Sequence, residues 1–321
     1  MKINTDPRKI EEVLTRGVEK IFPNKEELEK VLLSGKKIRL YNGIDPTGKL
    51  HIGHLVTLRK LRQFQDLGHE VIVLIGDFTA MIGDPTDKSA TRKPLTRRQV
   101  LENAKNYKKQ IGKILDLKKS NVRFLQNEKW TNKLKPVDLL KIASNFTVAR
   151  LLERDMFQKR IQENKDIHLH EFLYPIFQAY DSVTMDVDLE VGGNDQTFNM
   201  LAGRDLMKKM ANKEKFVMAL KLLTDPTGKK MGKTEGNMVN LDESPKEIFG
   251  KIMSWPDGII PAGFELLTGL DCPGISPREA KAQLAKEVIK ICHNQEAADL
   301  AEKEFNQVFK EGGLPSDIPE I

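Results

Sequence analysis

Two short motifs contain side chains that suit chemistry on a polyphosphate. The first, HIGH, carries His51 and His54 at the predicted start of a helix, where several backbone N–H groups converge and bind anions. The second, KKMGKTEGN, carries Lys230 and Lys233 on a glycine-containing loop that can close over phosphates. Each motif has an ordinary alternative, as surface histidines or as a solvated lysine loop. Their occurrence in one chain favours the chemical interpretation.

A stripe of polar side chains further along the chain suits the binding of one small ligand. Tyr174, Gln178 and Asp181 are spaced at i, i+4 and i+7, which places them on one face of a helix. Pro175 must then lie near the first turn of that helix, where its missing N–H costs little. The alternative interpretation of this stripe is an ordinary helix surface.

The elements that position these residues alternate between helices and strands. Helical spacing covers residues 8–21 and 25–34, and the helix that starts at HIGH runs from about Gly53 to Leu67. Strands are predicted at KIRLYNGI, EVIVLIG, VRFLQN, VDLEVGG and FVMALKLL. Further helices are predicted near 96–117, 136–165, 170–182 and 194–212. This alternation predicts an α/β fold, a Rossmann-like doubly wound parallel sheet that binds ligands at the carboxyl ends of its strands.

The same pattern predicts how the chain divides into domains. A catalytic domain spans residues 1–225 and contains a helical insertion at about 130–182, where the strand and helix alternation stops. The lysine loop occupies residues 226–244. Residues 245–321 are predicted to form a C-terminal α-helical domain and a linker.

The composition argues against several classes of protein. The chain has 321 residues and a net charge of +6, with acidic and basic residues interleaved, which is compatible with an anionic partner. Cys272 and Cys292 lack the close spacing of a zinc site or a disulfide framework. The N-terminus has no apolar leader, and no segment reaches the ~18 apolar residues of a membrane span. We therefore expect a soluble, cytoplasmic protein without a metal site.

The pairing of HIGH with KMGKT resembles the class I aminoacyl-tRNA synthetases, whose signatures are HIGH and KMSKS. Gly232 and Thr234 stand where that pattern has serines, and the lysine spacing is kept. Within the class, the chain is similar to the bacterial tyrosyl-tRNA synthetases over nearly its whole length. The matching stretches are LYNGIDPTGKLHIGH, MIGDPTDKSATRK, YPIFQAYD, VGGNDQ and KMGKT.

The resemblance implies a set of residues that bind tyrosine. Tyr41 and Asp181 would bind the substrate phenol and reject phenylalanine, because an apolar ring would leave their polar groups unpaired. Gln196 would contact the carboxyl end of the substrate. Three residues would hold its ammonium group: Asp84, Tyr174 and Gln178.

The resemblance also implies which residues handle ATP. The ATP-binding residues would be Gly43, Asp45, Gly53, Thr57, Gly193, Asp195, Met231 and Lys233. The catalytic residues would be Thr47, His51 and His54 on the phosphates, with Lys88, Arg92, Lys230 and Lys233 on the leaving pyrophosphate. Lys88 and Arg92 belong to a basic segment, KSATRKPLTRR, which alternatively forms a solvated loop.

The implied enzyme joins L-tyrosine to ATP, releases pyrophosphate, and transfers tyrosine to the 3' end of tRNA(Tyr). Magnesium would accompany ATP without a dedicated protein cage, and no tightly bound metal or organic cofactor is expected. A homodimer is expected through residues 130–175, where VARLLERDMF offers apolar contact. Most bacterial relatives continue past a linker resembling FNQVFKEGGLPSDIPE into a small basic RNA-binding domain, which we expect this chain to lack.

Three alternatives stay open at this point. A tryptophanyl enzyme shares the architecture, but it needs no phenol partner such as Tyr41 with Asp181. A HIGH-containing nucleotidyltransferase is usually much shorter and lacks the GGNDQ element. An RNA-binding relative without catalytic activity would have no need of intact HIGH and KMGKT motifs.

Overall fold

A computed structural model of the chain describes residues 2–84, 95–224 and 238–310. Within these residues, six strands form one sheet: β1 Val18–Phe22, β2 Arg39–Ile44, β3 Glu70–Ile75, β4 Val122–Gln126, β5 Leu189–Gly193 and β6 Phe216–Leu220. The first helices are α1 Pro7–Thr15, α2 Lys25–Leu33, α3 Ile52–Asp66, α4 Thr79–Ile82, α5 Arg97–Ala104, α6 Tyr107–Ile111, α7 Glu128–Thr131 and α8 Pro136–Ala143. The remaining described helices are α9 Val148–Leu152, α10 Asp155–Gln162, α11 Leu169–Met185, α12 Thr197–Ala211, α13 Pro245–Met253, α14 Ile260–Leu267, α15 Pro277–Cys292 and α16 Gln295–Lys310.

The sheet has the doubly wound topology that the alternation predicts. Its strand order is β1-β6-β5-β2-β3-β4, and the strands from β6 to β4 are parallel. The chain winds from β2 towards β4 on one side and from β5 towards β6 on the other. Ligands of such sheets bind where the winding direction reverses, beyond the carboxyl ends of the strands, here β2 and β5. The predicted α/β fold with helical regions is confirmed.

The N-terminal segment differs from its prediction. Residues 8–21 were expected to be helical, but α1 ends at Thr15 and β1 pairs antiparallel with β6 at the edge of the sheet. Ile10, Val13 and Leu14 bury the apolar face of α1, and Val18 and Ile21 happen to continue the same helical spacing. Val18 and Ile21 lie in a strand instead, because pairing with β6 is a tertiary contact that overrides the local helical pattern.

The other predicted elements are found with small changes. The helix expected at 96–117 is two helices, α5 and α6. The apolar run EVIVLIG forms β3, whose side chains from Val71 to Ile75 are buried between parallel neighbours. Between β4 and β5 the chain is helical, from α7 to α11, and contains no strand among these described residues. The predicted helical insertion, at about 130–182, falls within this region and stays a prediction.

The chain forms two compact units. The first comprises residues 1–48, 60–106 and 117–221 and holds the sheet. The second comprises residues 49–59, 107–116 and 222–321 and holds α13 to α16. The domain boundaries drawn from the sequence stay a prediction. None of the described helices is long and apolar enough to cross a membrane.

Candidate active site

Tyr41 lies at the centre of the sheet. It belongs to β2, pairs with Ile72 of β3 and Glu190 of β5, and is fully buried. Its hydroxyl oxygen lies 2.9 Å from Ser182 Oγ. Burial raises the pKa of Tyr41 well above its usual value, and the charges of Glu190 and Asp181 add to this effect. Tyr41 therefore offers a neutral hydroxyl group at physiological pH.

Helix α11 carries the polar stripe that the sequence analysis identified. Tyr174 and Asp181 are buried on it, and Gln178 is half-buried between them. Pro175 lies in the second turn and not near the first, so that expectation is wrong. The helix begins earlier because the Glu171 carboxylate caps its first turn by accepting the backbone N–H of His168 at 2.9 Å.

Asp181 is the one acidic residue of this three-residue stripe, and it is buried. Its Oδ1 accepts from the indole Nε1 of Trp130 at 2.7 Å, and its Oδ2 accepts from Asn127 Nδ2 at 3.1 Å. Burial raises the pKa of Asp181 to about 8, although these two bonds favour the charged form. The carboxyl group is thus held in a fixed orientation by donors from the segment that follows β4.

A chain of hydrogen bonds joins Asp181 to Tyr174. Asn127 Nδ2 also lies 3.2 Å from Thr79 Oγ1, and Thr79 donates to Asp45 Oδ1 at 2.7 Å. Asp45 Oδ2 in turn accepts from the Tyr174 hydroxyl at 2.9 Å. Five side chains, from α4, α11 and the residues that directly follow β2 and β4, thus fix one another's orientation. Asp45, predicted to bind ATP, is here a structural partner of Tyr174.

Asp84 accepts two hydrogen bonds from side chains of the same unit. Arg154 Nη2 lies 3.1 Å from Oδ1, and Gln196 Nε2 lies 2.7 Å from Oδ2. Gln196 is itself held by Asn199, whose Nδ2 lies 3.0 Å from its Oε1. The structure therefore brings together Asp84 and Gln196, two of the predicted tyrosine ligands, and adds the buried guanidinium of Arg154.

The HIGH motif lies in the second unit, at the start of α3. His51 forms a bridge to Asn240, and the backbone N–H of Ile52 donates to the carbonyl of Val239 at 2.9 Å. The two imidazole rings lie 4.0 Å apart between centroids, with their planes tilted by 55°. A Cβ on Gly53 would lie 3.0 Å from His51 Cε1, so glycine leaves room for this ring beside the turn.

The hydrogen bonds of the two histidines define which ring nitrogen can donate. Nδ1 of His54 accepts the backbone N–H of His51 at 3.1 Å, and Nδ1 of His51 accepts that of Gly53 at 3.2 Å. A neutral imidazole that accepts at Nδ1 carries its proton at Nε2. Both rings therefore present an Nε2–H donor, the form that binds a phosphate oxygen.

The remaining predicted ATP residues divide between the two units. Thr57 lies half-buried on α3 in the second unit. Gly43, at the carboxyl end of β2, is exposed, and a Cβ there would meet only Leu74 at 4.0 Å. The other first-unit residues, none of them fully buried, are Thr47, Gly193 and Asp195. Five predicted residues lie outside the described ranges: Lys88, Arg92, Lys230, Met231 and Lys233.

Several residues that build the site were missed by sequence reasoning. Asn127 and Trp130 follow β4 at its carboxyl end, and the rule that ligands bind there was a usable signal for them. No signal indicated Arg154, Glu190 or Lys215, because charged residues are usually exposed. No group of three or more metal-binding side chains occurs in the part of the chain that the structure describes.

Comparison with known proteins identifies the family of this chain. The model of the class I tRNA synthetases for tryptophan and tyrosine matches residues 33–310. The chain is 48% identical to the tyrosine–tRNA ligase of Carboxydothermus hydrogenoformans, over 96% of this chain and 79% of the relative. It is 46% identical to tyrosine–tRNA ligase 2 of Vibrio cholerae, over 96% of this chain and 80% of that protein.

Solved structures share the fold. A C-terminally truncated mitochondrial tyrosyl-tRNA synthetase from Aspergillus nidulans superposes with a TM-score of 0.76 at 23% identity, covering 94% of both chains. A tyrosyl-tRNA synthetase from Archaeoglobus fulgidus, solved with L-tyrosine, gives a TM-score of 0.72 at 23% identity, covering 92% of this chain and 99% of that one. The resemblance seen in the motifs is confirmed, and the chain belongs to the class I tRNA synthetases for tryptophan and tyrosine.

Proposed function

We propose that this chain activates L-tyrosine with ATP and transfers it to the 3' end of tRNA(Tyr). The predicted enzyme class, an aminoacyl-tRNA synthetase, is confirmed by the family match. The curated relatives are tyrosine–tRNA ligases, which confirms the predicted function over the tryptophanyl alternative. One observation in the structure carries the proposal. The buried hydroxyl of Tyr41 contacts Ser182, the neighbour of Asp181 on α11, so a phenol donor and a carboxyl acceptor lie on adjacent elements.

Recognition of the substrate phenol would use these two groups together. Asp181 accepts the phenolic proton, and Tyr41 bonds the phenol oxygen. Phenylalanine and tryptophan lack a phenol and would leave the hydrogen bonds from these two buried groups to the substrate unmade, which costs about 1–3 kcal/mol for each group. Trp130 and Asn127 support this role because they hold both carboxylate oxygens in place before the substrate arrives.

The ammonium group of tyrosine would bind to Asp84, Tyr174 and Gln178. A carboxylate offers about four acceptor positions, so Asp84 can take the ammonium while it accepts from Arg154 and Gln196. Gln196 would then contact the substrate carboxylate. The buried guanidinium of Arg154 pairs with Asp84 at 3.1 Å.

The phosphates of ATP would be handled by the two histidines, whose Nε2–H groups donate to oxygens that gain charge in the transition state. Thr47 would add a hydroxyl donor. Asp195 and Gly193 would contact the ribose with Thr57, and Gly43 and Gly53 would admit the adenine. Asp45 would act near the phosphates while it holds Tyr174. The loop residues assigned to pyrophosphate are Lys88, Arg92, Lys230 and Lys233, and Met231 would contact the nucleotide. Magnesium would enter as part of the ATP substrate.

The remaining partners are proposed on general grounds. The net charge of +6 suits a tRNA substrate, and a cytoplasmic location suits the two cysteines without a disulfide pattern. A homodimer would form through residues 130–175. Five large apolar side chains of this region are exposed in the single chain, which supports the proposal: Val137, Leu140, Val148, Ile161 and Leu169.

The proposed role of the histidines is tested by separating binding from chemistry. His54→Ala should slow formation of tyrosyl-adenylate in single turnovers by roughly a hundredfold, because it removes one donor to developing charge. Tyrosine affinity, measured by equilibrium binding without ATP, should change less than about twofold, since His54 is assigned only to the phosphates.

The control is His168→Ala, which removes an exposed imidazole of the first unit and should leave both quantities unchanged. A large loss of tyrosine affinity in His54→Ala with an unaltered rate of adenylate formation would contradict the assignment.

A further inference from the structure

A buried ion pair lies directly behind two of the residues assigned to tyrosine. The side chains of Lys215, just before β6, and Glu190, on β5, are 0% and 3% exposed. Lys215 Nζ contacts Glu190 Oε2 and also lies 2.9 Å from Ser182 Oγ. Glu190 Oε1 accepts from Gln178 Nε2 at 3.0 Å. One ion pair is thereby connected to both Tyr41 and Gln178.

The space around this ion pair is closely filled. A Cβ on Gly203 of α12 would lie 2.5 Å from Lys215 Nζ and 2.9 Å from Ser182 Oγ. The ammonium group therefore has little freedom to move away from its two partners. Burial lowers the pKa of Lys215, and the adjacent Glu190 charge opposes that change. A buried pair of this kind contributes little net stability compared with apolar residues of similar volume, so its position suggests a functional use.

The donors and acceptors of the cluster give its hydrogen bonds a direction. An ammonium group only donates, so Ser182 Oγ accepts from Lys215. The hydroxyl proton of Ser182 then has two acceptors within reach, Tyr41 Oη at 2.9 Å and Glu190 Oε2 at 3.5 Å. The shorter contact is the stronger one, so the Tyr41 oxygen is the preferred acceptor. Donation from Ser182 to Tyr41 leaves the proton of Tyr41 for another acceptor, and the Glu190 carboxylate also forms a hydrogen bond with Tyr41.

We propose that Lys215 and Glu190 are positioning residues that fix the direction of this hydroxyl chain, so that Tyr41 donates to the phenol oxygen of the substrate. The phenol proton goes to Asp181, and its oxygen then needs a donor, which Tyr41 supplies. Glu190 also holds the Gln178 amide in the orientation that binds the substrate ammonium group. The inference rests on the proposed roles of Tyr41, Gln178 and Asp181.

The experiment compares tyrosine and phenylalanine in ATP–pyrophosphate exchange for Lys215→Met and Ser182→Ala. Both variants should raise the KM for tyrosine and lower the ratio of kcat/KM for tyrosine over phenylalanine by roughly tenfold, because only tyrosine has the oxygen that Tyr41 bonds. The kcat for tyrosine should change much less. Glu190→Gln should raise the KM for both amino acids, since it also removes the carboxylate that holds the Gln178 amide.

The matched control breaks a second buried ion pair of this unit. Arg160 contacts Glu171, and their side chains are 3% and 4% exposed. Arg160→Met should lower thermal stability as Lys215→Met does and leave the selectivity unchanged. Ser182→Ala carries the test if Lys215→Met does not fold, because it removes a small hydroxyl without leaving a buried charge unpaired.

Tyr41→Phe separates failure of this inference from failure of the site assignment. If Tyr41→Phe lowers the selectivity and folded Lys215→Met and Ser182→Ala do not, the positioning role is wrong and the phenol site stands. If Tyr41→Phe itself leaves the selectivity unchanged, the assignment of Tyr41 is wrong, and the inference is overturned with it.

Discussion

At the scale of single residues, the polar contacts of the site converge on Asp181. The residue receives hydrogen bonds from Trp130 and Asn127 and lies in the field of two further acids, Glu190 and Asp45. Asp181 is 2% exposed, so its carboxyl group is dehydrated even in the absence of substrate, which costs folding free energy. Such a cost is typical of functional groups that are oriented in advance.

This cost predicts how stability depends on pH. The pKa of Asp181 rises from 3.8 to about 8 on folding, so the folded protein binds a proton that the unfolded chain releases between these values. The contribution of Asp181 is fully present below about pH 4 and is lost as the pH rises through about 8. Over this interval the free energy of unfolding should therefore fall less steeply in Asp181→Asn than in the wild type. The difference between the two slopes should reach up to about 1.4 kcal/mol for each pH unit.

Urea unfolding of the wild type and Asp181→Asn at several pH values between 4 and 8 measures this difference. Other titrating groups contribute equally to both proteins, and any lost hydrogen bond gives an offset that does not depend on pH. Parallel curves over the whole interval would show that the carboxyl group is not destabilised by burial.

Some residues of the site could be predicted from the sequence, and others could not. Tyr41, Gln178 and Asp181 were predicted because they combine suitable chemistry with a helical spacing or a family motif. Lys215 and Arg154 were not, because a lone lysine before a strand or an arginine in a charged helical segment has the pattern of an exposed residue. Only the packed structure shows that Lys215 is fully buried against Glu190 and Ser182.

At the scale of elements, α11 does most of the positioning. Its side chains Tyr174, Gln178, Asp181 and Ser182 make hydrogen bonds to residues on or just after β2, β4 and β5, and its spacing was visible in the sequence. The edge strand β1 was not predicted, because its two β-branched residues fit the helical spacing of α1, and only pairing with β6 distinguishes the two. The local sequence pattern thus predicts an element correctly where one face of that element is buried. It fails where pairing with another strand determines whether a segment is a helix or a strand.

The helices between β4 and β5 lead to a prediction about assembly. Five of the ten large apolar side chains that are exposed among the described residues lie between residues 137 and 169, on α8 to α11. Burying such a cluster favours a dimer. Leu140→Glu combined with Leu169→Glu should shift the protein from dimer to monomer in sedimentation equilibrium, because each charge would be desolvated in the interface.

The control for this prediction is Leu300→Glu. Leu300 is 57% exposed on α16 in the second unit, and its substitution should leave the molecular mass in solution unchanged. A wild type that sediments as a monomer at micromolar concentration would contradict the proposed homodimer.

At the scale of the whole molecule, the assigned residues come from both compact units of the chain. The residues assigned to tyrosine belong to the first, and the HIGH histidines belong to the second. The motif pair, the parallel sheet and the C-terminal helices were all predictable, because spaced motifs and regular periodicity are properties of the sequence itself. The two lysines of KMGKT lie outside the described residues, so their proposed roles rest on the resemblance alone.

The central claim is that Tyr41 and Asp181 make this chain specific for the phenol of tyrosine. ATP–pyrophosphate exchange with tyrosine, phenylalanine and tryptophan tests it most directly, in the wild type and in Asp181→Ala. We predict that the wild type strongly prefers tyrosine, and that Asp181→Ala lowers the ratio of kcat/KM for tyrosine over phenylalanine by roughly tenfold to a hundredfold, since the buried phenol hydroxyl loses its acceptor. Exchange with tryptophan as efficient as with tyrosine, or an unchanged ratio in folded Asp181→Ala, would contradict the account.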